Sequence, residues 1–222
     1  MVSQVSTPPL ESGDRLSRTE FERRYALFPN LRAELIEGVV YVASPVRAKQ
    51  HGRPHAYVIG WLTAYVAATP GVDIEDNATV RLDLDNEPQP DALLRIEPEA
   101  GGNSRITEDD YIEGAPELIV EIAASSASVD MNAKLNAYRR NGVKEYLVWQ
   151  IYENQIRWFQ LQGSEYVVLE PENDVIKSRV FPGLWLAIAS LQQGDIATVL
   201  ATLQTGLSSS EHQEFVAALY RV

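Results

Sequence analysis

The strongest constraint on this chain is a carboxylate inside an apolar segment. In PELIVEIAASSASVDMNAKLNAY, residues 116–138, the apolar run Leu118–Val120 is interrupted by Glu121 and resumes at Ile122. Transfer of an ionised carboxylate from water into an apolar interior costs several kcal/mol unless a partner offsets that cost. The segment therefore predicts a buried strand whose Glu121 meets a cation or a polar group from another part of the chain.

Composition limits the classes of protein that remain. The 222 residues are 45% hydrophobic and 23% charged, as in ordinary globular domains. They include no cysteine, which excludes disulfides, thiolate zinc sites and cysteine nucleophiles and agrees with the cytoplasmic location that we expect. Because the first residues lack a basic stretch followed by an apolar one, no signal peptide is expected. Nor does any apolar run approach the ~20 residues of a membrane span.

The charge is unevenly distributed along the chain. The net charge is -12, yet residues 1–70 contain 8 Lys and Arg against 6 Asp and Glu, so the imbalance of -14 lies in the remainder. Proteins that coat nucleic acid have a basic footprint, and the acidic balance argues against that class. A surface that faces a polyanion would use Arg47, Lys49, Arg53 and the Arg139–Arg140 pair. Taken singly, each of these cations is better explained as an ordinary solvated charge.

The hydrophobic pattern predicts one α/β or α+β domain with a mixed central sheet flanked by helices. Residues 1–14 are predicted to form a flexible tail, 15–190 the main domain, and 191–222 a helical appendix packed on the same domain. Helices are predicted from LSRTEFERRYALF, where Ser17 and Glu20 form a capping box, over 49–69 and 128–141, and from GDIATVLATLQTG and SSEHQEFVAALYRV. Strands are predicted at AELIEGVVYVAS, VDIED, ATVRLDLD, PDALLRI, ELIVEIAAS, KEYLVWQIY, QIRWFQLQ and EYVVLE, with a polar loop at EAGGNSRITEDDYIEG.

A second carboxylate, Asp91, stands at the predicted start of the strand PDALLRI. Pro90 cannot donate a ladder hydrogen bond, so it favours the first position of a strand. If this strand neighbours the one that contains Glu121, the two carboxylates converge and need a proton or a cation between them. Mg²⁺ suits such a site because it prefers oxygen and typically uses one or two carboxylates with water and phosphate. A turn role for Asp91 and a solvent-facing edge position for Glu121 explain the pattern equally well.

Lys134 lies in the predicted helix that follows the Glu121 strand. It shares a stripe with Met131, Leu135 and Tyr138 at helical spacing, and this stripe must face the sheet if the helix packs on it. Lys134 therefore borders the buried face and can reach back toward the carboxylates. For a lysine considered alone, an ammonium extended to solvent or a pair with Asp130 four residues earlier is the simpler explanation.

The combination of PD before a strand, a second strand with an internal Glu and a nearby Lys resembles the PD-(D/E)xK nuclease superfamily. Over about three-quarters of the chain, the sequence is similar to the Uma-two branch of restriction-endonuclease-like proteins, which is common in cyanobacteria. The similar stretches are LSRTEFERR, AELIEGVVYVASP, KQHGR, QPDALLRI, GAPELIVEIAASSASVDMNAKLNAYRRNGVKEYLVW and FPGLWLAI. One departure is that Ala123 stands where the standard motif has its lysine, which makes Lys134 the candidate lysine.

This resemblance implies a restriction-endonuclease-like fold and metal-dependent hydrolysis of phosphodiester bonds in nucleic acid, with DNA the expected substrate. Mg²⁺, for which Mn²⁺ is expected to substitute, would be held by Asp91, Glu121 and the carbonyl of Ile122. Lys134 would orient the attacking water and stabilise charge on the phosphate. The remaining candidates are Glu34, as a third acidic group, and His51, Lys49 and Arg53, as substrate contacts.

Two further expectations concern the role and assembly of the chain. The alternative to an enzyme is a catalytically inactive member of the fold that serves as a binding or assembly module, which the acidic balance favours modestly. A homodimer is predicted because two-fold DNA sites suit two-fold proteins and because the segment 144–169 is rich in aromatic residues. These residues are Tyr146, Trp149, Tyr152, Trp158, Phe159 and Tyr166.

Overall fold

The computed structural model describes residues 7–28 and 30–219, and these form a mixed α/β fold. The helices are α1 (Arg18–Tyr25), α2 (Arg53–Val66), α3 (Ala127–Val129), α4 (Leu135–Arg140), α5 (Ile188–Gln193), α6 (Ile196–Leu207) and α7 (Ser210–Leu219). π-helical turns at Ala48–Gly52 and Asp130–Lys134 lead into α2 and α4, and a 3-10 turn covers Pro98–Ala100. The strands are β1 (Ala33–Ile36), β2 (Val39–Val42), β3 (Val72–Asp76), β4 (Val80–Arg81), β5 (Ala92–Ile96), β6 (Arg105–Ile106), β7 (Ile112–Glu113), β8 (Leu118–Ala123), β9 (Glu145–Gln150), β10 (Gln155–Gln162), β11 (Glu165–Val168), β12 (Val175–Lys177) and β13 (Trp185–Ala187).

Six strands form the central sheet in the order β11-β10-β9-β8-β5-β3. The middle pair, β8 and β9, is parallel, and the other neighbours are antiparallel. The parallel pair is connected through α3 and α4, since parallel strands need a crossover rather than a tight turn. The mixed central sheet predicted from the sequence is confirmed. Smaller sheets are the β1–β2 hairpin, the β12–β13 pair and the three strands β4-β7-β6.

The central strand β8 is buried on both faces. Leu118, Val120 and Ile122 pack on one face against α2, the C-terminal helices and residues from β9 and β10. Ile119 and Ala123 point to the other face, where α4 contributes its buried side chains. Such burial on both sides explains why β8 has an apolar run instead of an alternating pattern.

The C-terminal helices complete the first of these two cores. Val199 and Leu203 of α6 are fully buried in the same cluster as the sheet residues. Gly206 brings α6 against the backbone before β13, where an added Cβ would stand 2.2 Å from the carbonyl oxygen of Gly183. A side chain at this position would therefore force the helix away from the sheet.

The structure differs from the sequence prediction in the connecting segments. The predicted strand ATVRLDLD is reduced to the two residues of β4, because Asn86 turns the chain by bonding to Asp83. The predicted polar loop contains β6 and β7, and β4 pairs with β7 through Val80 and Ile112. Pairing between residues so distant in sequence leaves no local pattern to indicate it.

Two predictions concern the N-terminal region, the cap of α1 and the flexible tail over residues 1–14. Ser17 caps α1 by accepting the N–H of Glu20, as the capping box predicts. Residues 1–6 of the predicted flexible tail lie outside the described residues. Leu10 is buried against the hairpin, and Gly13 donates its N–H to the carbonyl of Val40.

The aromatic residues of segment 144–169 are mostly part of the core. Of the six, Tyr152 is the exposed one, Tyr166 is half-buried, and the rest are buried. Successive side chains of these strands point to opposite faces of the sheet, and both faces are covered. The aromatic residues therefore serve packing on both sides of the sheet. The aromatic argument for a partner surface loses its support, and the homodimer itself stays a prediction.

Glu145 at the start of β9 is a buried carboxylate that fastens a loop to the sheet. Its Oε2 accepts the indole N–H of Trp158 at 3.0 Å and the hydroxyl of Ser178 at 2.7 Å. Its Oε1 accepts the backbone N–H groups of Arg179 at 2.7 Å and Val180 at 3.2 Å. Four donors therefore satisfy both oxygens, which offsets the cost of burial.

Glu145→Gln should lower the free energy of unfolding by about 1–3 kcal/mol, because the amide nitrogen cannot accept from the donors that face it. Urea unfolding at neutral pH measures the change. Glu165→Gln is the control, since the Glu165 side chain is 74% exposed. An unchanged stability of Glu145→Gln would contradict the anchoring role of this carboxylate.

Candidate active site

Asp91 and Glu121 occupy facing positions on neighbouring strands. β5 runs antiparallel to β8 with Ala92 opposite Val120, and one further step of this register places Asp91 opposite Glu121. Opposed residues of an antiparallel pair point to the same face. Asp91 is also bound to the edge of β8, since its Oδ2 accepts the N–H of Ile122 at 2.6 Å. This register agrees with the expected approach of the two carboxylates, and their sharing of one cation stays a prediction.

Lys134 joins carboxylates from three separate elements. Its Nζ lies 2.9 Å from both carboxylate oxygens of Glu34 on β1 and 2.9 Å from Oε1 of Glu121 on β8. Asp130, one turn earlier, has its Oδ1 at 3.7 Å from the same Nζ. Lys134 is 5% exposed, so this ammonium is desolvated and depends on the carboxylates around it. The buried Glu121 thus has a cationic partner from the helix that follows it.

Three polar groups of the site were not singled out as site residues from the sequence. The hydroxyl of Tyr138 donates to Oε1 of Glu121 at 2.7 Å, and the backbone N–H of Gln89 donates to Oε1 of Glu34 at 2.7 Å. Asp130 is buried, and neither of its carboxylate oxygens has a hydrogen-bond donor among the described residues. Tyr138 lies on the same helical stripe as Lys134, which is the signal that could have identified it.

Both π-helical turns of the fold lie at this site. Lys134 is the last residue of the turn Asp130–Lys134, and His51 lies in the turn Ala48–Gly52. The additional residue in such a turn rotates the side chains relative to an α-helix, and π-turns are frequent at functional sites.

His51 connects Asp91 to the backbone of β8. Its Nε2 is 3.1 Å from Oδ1 of Asp91, and its Nδ1 is 3.3 Å from the carbonyl oxygen of Ile122. The hydrogen bond to Asp91 raises the pKa of His51 against the opposing effect of burial. Both ring nitrogens face oxygen acceptors, which favours the protonated imidazolium. His55 stacks on His51 at 5.6 Å and lies 2.9 Å from the carbonyl oxygen of Asp91.

The electrostatics of the site favour an additional cation. Burial raises the pKa of Glu121 well above its ordinary range, and the neighbouring carboxylates add to the effect that Lys134 opposes. Burial likewise raises the pKa of Asp130 to about 6. Burial by itself would lower the pKa of Lys134, but the surrounding carboxylates raise it well above its ordinary range. Glu34 and Asp91 bring the number of carboxylates in the cluster to four, and Lys134 is the lysine that three of them share. Their mutual repulsion is unfavourable unless a proton or an additional cation neutralises part of the negative charge.

Lys49 and Arg53, the other predicted substrate contacts, lie beside this cluster rather than in it. Both are exposed and line a separate cleft at the start of α2. Neither has a carboxylate within ion-pair distance in the described part of the chain, whereas Arg139 and Arg140 pair with Glu165 and Glu37. Lys49 and Arg53 therefore have positive charge that no carboxylate of the described residues neutralises, in the same stretch of chain as His51.

The residues present fit a magnesium ion in donor chemistry and in charge. Asp91, Glu121 and the carbonyl of Ile122 offer the hard oxygen donors that Mg²⁺ prefers. Oδ1 of Asp91 and the Ile122 carbonyl oxygen both contact ring nitrogens of His51, so a metal ion at these atoms would take the place of the His51 ring. Across residues 7–28 and 30–219, no group of three or more His, Cys, Asp or Glu side chains is arranged to hold a metal, so a backbone oxygen and water would complete the coordination.

The sheet order and the carboxylates converging on β8 define an α/β domain of the restriction-endonuclease-like class. The family model of Uma2, described as "Putative restriction endonuclease", matches residues 18–189, and the chain belongs to this family. The predicted family and fold are thereby confirmed.

A solved structure supports the same fold. The chain resembles the crystal structure of "a putative nuclease belonging to DUF820" from Anabaena variabilis ATCC 29413, with a TM-score of 0.58 and 15% identity. The similarity covers 77% of this chain and 96% of that chain. No curated protein matches the sequence. Within the described residues, no helix is both long and apolar enough to cross a membrane.

Two substitutions should separate the contributions of Lys134 and Glu121 to stability. Lys134→Met should lower the free energy of unfolding by about 3–5 kcal/mol, because it leaves buried carboxylates without their cation. Glu121→Gln should leave the protein as stable as the wild type or more stable, because it relieves repulsion and its amide oxygen still accepts from Lys134 and Tyr138.

Urea unfolding in the presence of a chelator measures both effects. Marked destabilisation by Glu121→Gln would contradict the excess of negative charge inferred for this cluster.

Proposed function

We propose that this chain is a metal-dependent endonuclease that hydrolyses phosphodiester bonds of nucleic acid, with DNA the favoured substrate. The observation that carries the proposal is the facing pair of Asp91 and Glu121 on β5 and β8, with Lys134 in contact with Glu121. Membership of a family described as a restriction endonuclease supports the same reaction class.

Asp91, Glu121 and the Ile122 carbonyl are the proposed ligands of Mg²⁺, with Mn²⁺ as a substitute. When bound, such a cation supplies Lewis-acid polarisation of the phosphate and lowers the pKa of a coordinated water. Asp91 is held in place for this role by the N–H of Ile122. Glu121 is fixed by two donors to one of its oxygens, Lys134 and Tyr138.

Lys134 and His51 supply the positive charge of the protein at the proposed reaction centre. Lys134 is proposed to orient the attacking water and to stabilise the charge that develops on the phosphate. His51 is proposed to contact the phosphate, with a bound metal ion taking the place of its ring at Asp91 and the Ile122 carbonyl. The segment that leads into α2 adds three exposed cations, Arg47, Lys49 and Arg53. Their positive charge is proposed to attract the nucleic-acid strand to this side of the site.

An inactive binding or assembly module is the second candidate function. The observation that favours it is that Glu121 is satisfied by Lys134 and Tyr138, so its burial does not require a metal. The acidic balance of -14 in the part of the chain after residue 70 also limits the area that can face a polyanion.

Cleavage assays with the purified chain separate the two functions. Plasmid, single-stranded DNA and RNA should be tested with Mg²⁺, with Mn²⁺ and with chelator, and cleavage is expected only with a metal. Asp91→Asn should reduce the rate at least ~100-fold, because loss of a metal ligand costs several kcal/mol of transition-state stabilisation.

Asp85→Asn is the matched control, because Asp85 is exposed and lies in the turn after β4, where its N–H donates to Asp83. Equal cleavage by the wild type and Asp91→Asn would assign the activity to a contaminant. Absence of cleavage and of any metal-induced shift in melting temperature would favour the inactive module.

A further inference from the structure

A cleft of about 230 Å³ lies next to the carboxylate cluster, at the ends of β8 and β9. One wall is the entrance to α2, another is the end of β9 with the turn after it, and the third is the end of α5. Lining residues include Lys49, Arg53, Tyr57, Trp149, Asn154 and Gln193. This cleft is distinct from the atoms proposed to hold the metal.

Shared elements connect the cleft to the proposed reaction centre. The π-turn Ala48–Gly52 carries Lys49 at the cleft and His51 at the carboxylates. Trp149 of the cleft pairs in register with Ile122, whose carbonyl contacts His51. The cleft and the proposed metal ligands therefore share the π-turn and the paired strands β8 and β9, although the Trp149 side chain lies on the face of the sheet opposite Glu121.

The walls of the cleft combine aromatic, amide and cationic groups. Tyr57 provides planar apolar surface, Asn154 and Gln193 provide side-chain amides, and the buried Trp149 forms the floor. Trp149 is 4% exposed, and its indole N–H has no acceptor among the described residues. Because a buried indole N–H usually finds a partner, this donor indicates that the region accommodates a polar ligand.

The size and charge of the cleft select one class of occupant. A volume of 230 Å³ equals that of roughly eight water molecules at ~30 Å³ each, which suits a single ring system and not a base pair. Lys49 and Arg53 at its edge suit one phosphate. The rest of the chain is acidic, so the protein lacks the extended basic footprint on which duplex binding depends.

We propose that this cleft binds one unpaired nucleotide of the nucleic-acid substrate, with its base against Tyr57 and its phosphate at Lys49 and Arg53. The inference rests on the proposed nuclease function and narrows it to substrates that are single-stranded or have an extruded base. Stacking on aromatic side chains provides binding that tolerates any base, while the cations hold the backbone.

Fluorescence anisotropy with a labelled oligothymidine in chelator tests the inference without cleavage. The wild type should bind this strand at least ~10-fold more tightly than the same strand in a duplex. Gln193→Trp, which fills the cleft from an exposed position, should weaken single-strand binding at least ~10-fold. Lys49→Ala combined with Arg53→Ala should do the same.

Matched controls keep the test independent of folding. Gln213→Trp adds the same side chain on exposed α7, and Lys177→Ala removes a cation remote from the cleft, so both should bind like the wild type. Asn154→Gly provides a second cleft variant, because its positive φ of 47° suits glycine, and it should also weaken binding. Thermal melts establish that each variant is folded.

Two results would overturn the inference: equal affinity for single strand and duplex, or wild-type binding by Gln193→Trp and Asn154→Gly. Selective loss of single-strand binding in the cleft variants, without metal-dependent cleavage by the wild type, would support the cleft and reject the nuclease. Metal-dependent cleavage that needs Asp91 but is unaffected in the cleft variants would support the nuclease and reject the cleft.

Discussion

The ammonium of Lys134 is the interaction on which the rest of the site depends. It contacts Glu34 on the β1–β2 hairpin and Glu121 on the central strand, and it lies near Asp130 on the preceding turn. Each of these groups would be costly to bury alone, and together they offset the loss of hydration. The hairpin, the sheet and the crossover helix are thereby joined at one point by charge, in addition to the apolar packing of α4 on β8.

β8 serves two networks through consecutive residues. The side chain of Glu121 points to the face of α4, where Lys134 and Tyr138 meet it. The backbone of Ile122 points along the sheet to Asp91 and His51, while its side chain enters the opposite core. Successive side chains of a strand point to opposite faces of the sheet. Glu121 can therefore join the acidic cluster while the backbone of the next residue, Ile122, contacts His51.

The spacing of apolar residues along strands and helices predicted the parts of this site that lie in regular secondary structure. Pro90 before an apolar run placed Asp91 at a strand start, and the helical stripe placed Lys134 toward the sheet. Tyr138 belongs to the same stripe, but an aromatic residue on a buried face is normally explained by packing. The small sheet that pairs Val80 with Ile112 was not predictable, because long-range pairing of two-residue strands has no periodic signal.

Glu145 shows why a carboxylate in an apolar strand is a weak signal by itself. Both Glu121 and Glu145 are buried strand residues, yet Glu145 meets four hydrogen-bond donors that fix a loop. Glu121 differs in facing a second carboxylate across the sheet. The sequence pattern indicated burial for Glu121 alone, and the partners of each carboxylate distinguish an anchor from a candidate catalytic group.

The close backbone approach of Gly206 to Gly183 packs α6 onto the part of the chain that matches the family model. Similarity to the family ends at residue 189, whereas Val199 and Leu203 beyond it fill the same core as the sheet. The segment that relatives share is therefore shorter than the segment that folds as a unit. A gene fragment cut at the limit of the match would encode a protein with an open hydrophobic surface, so the boundary of sequence similarity is not a safe boundary for truncation.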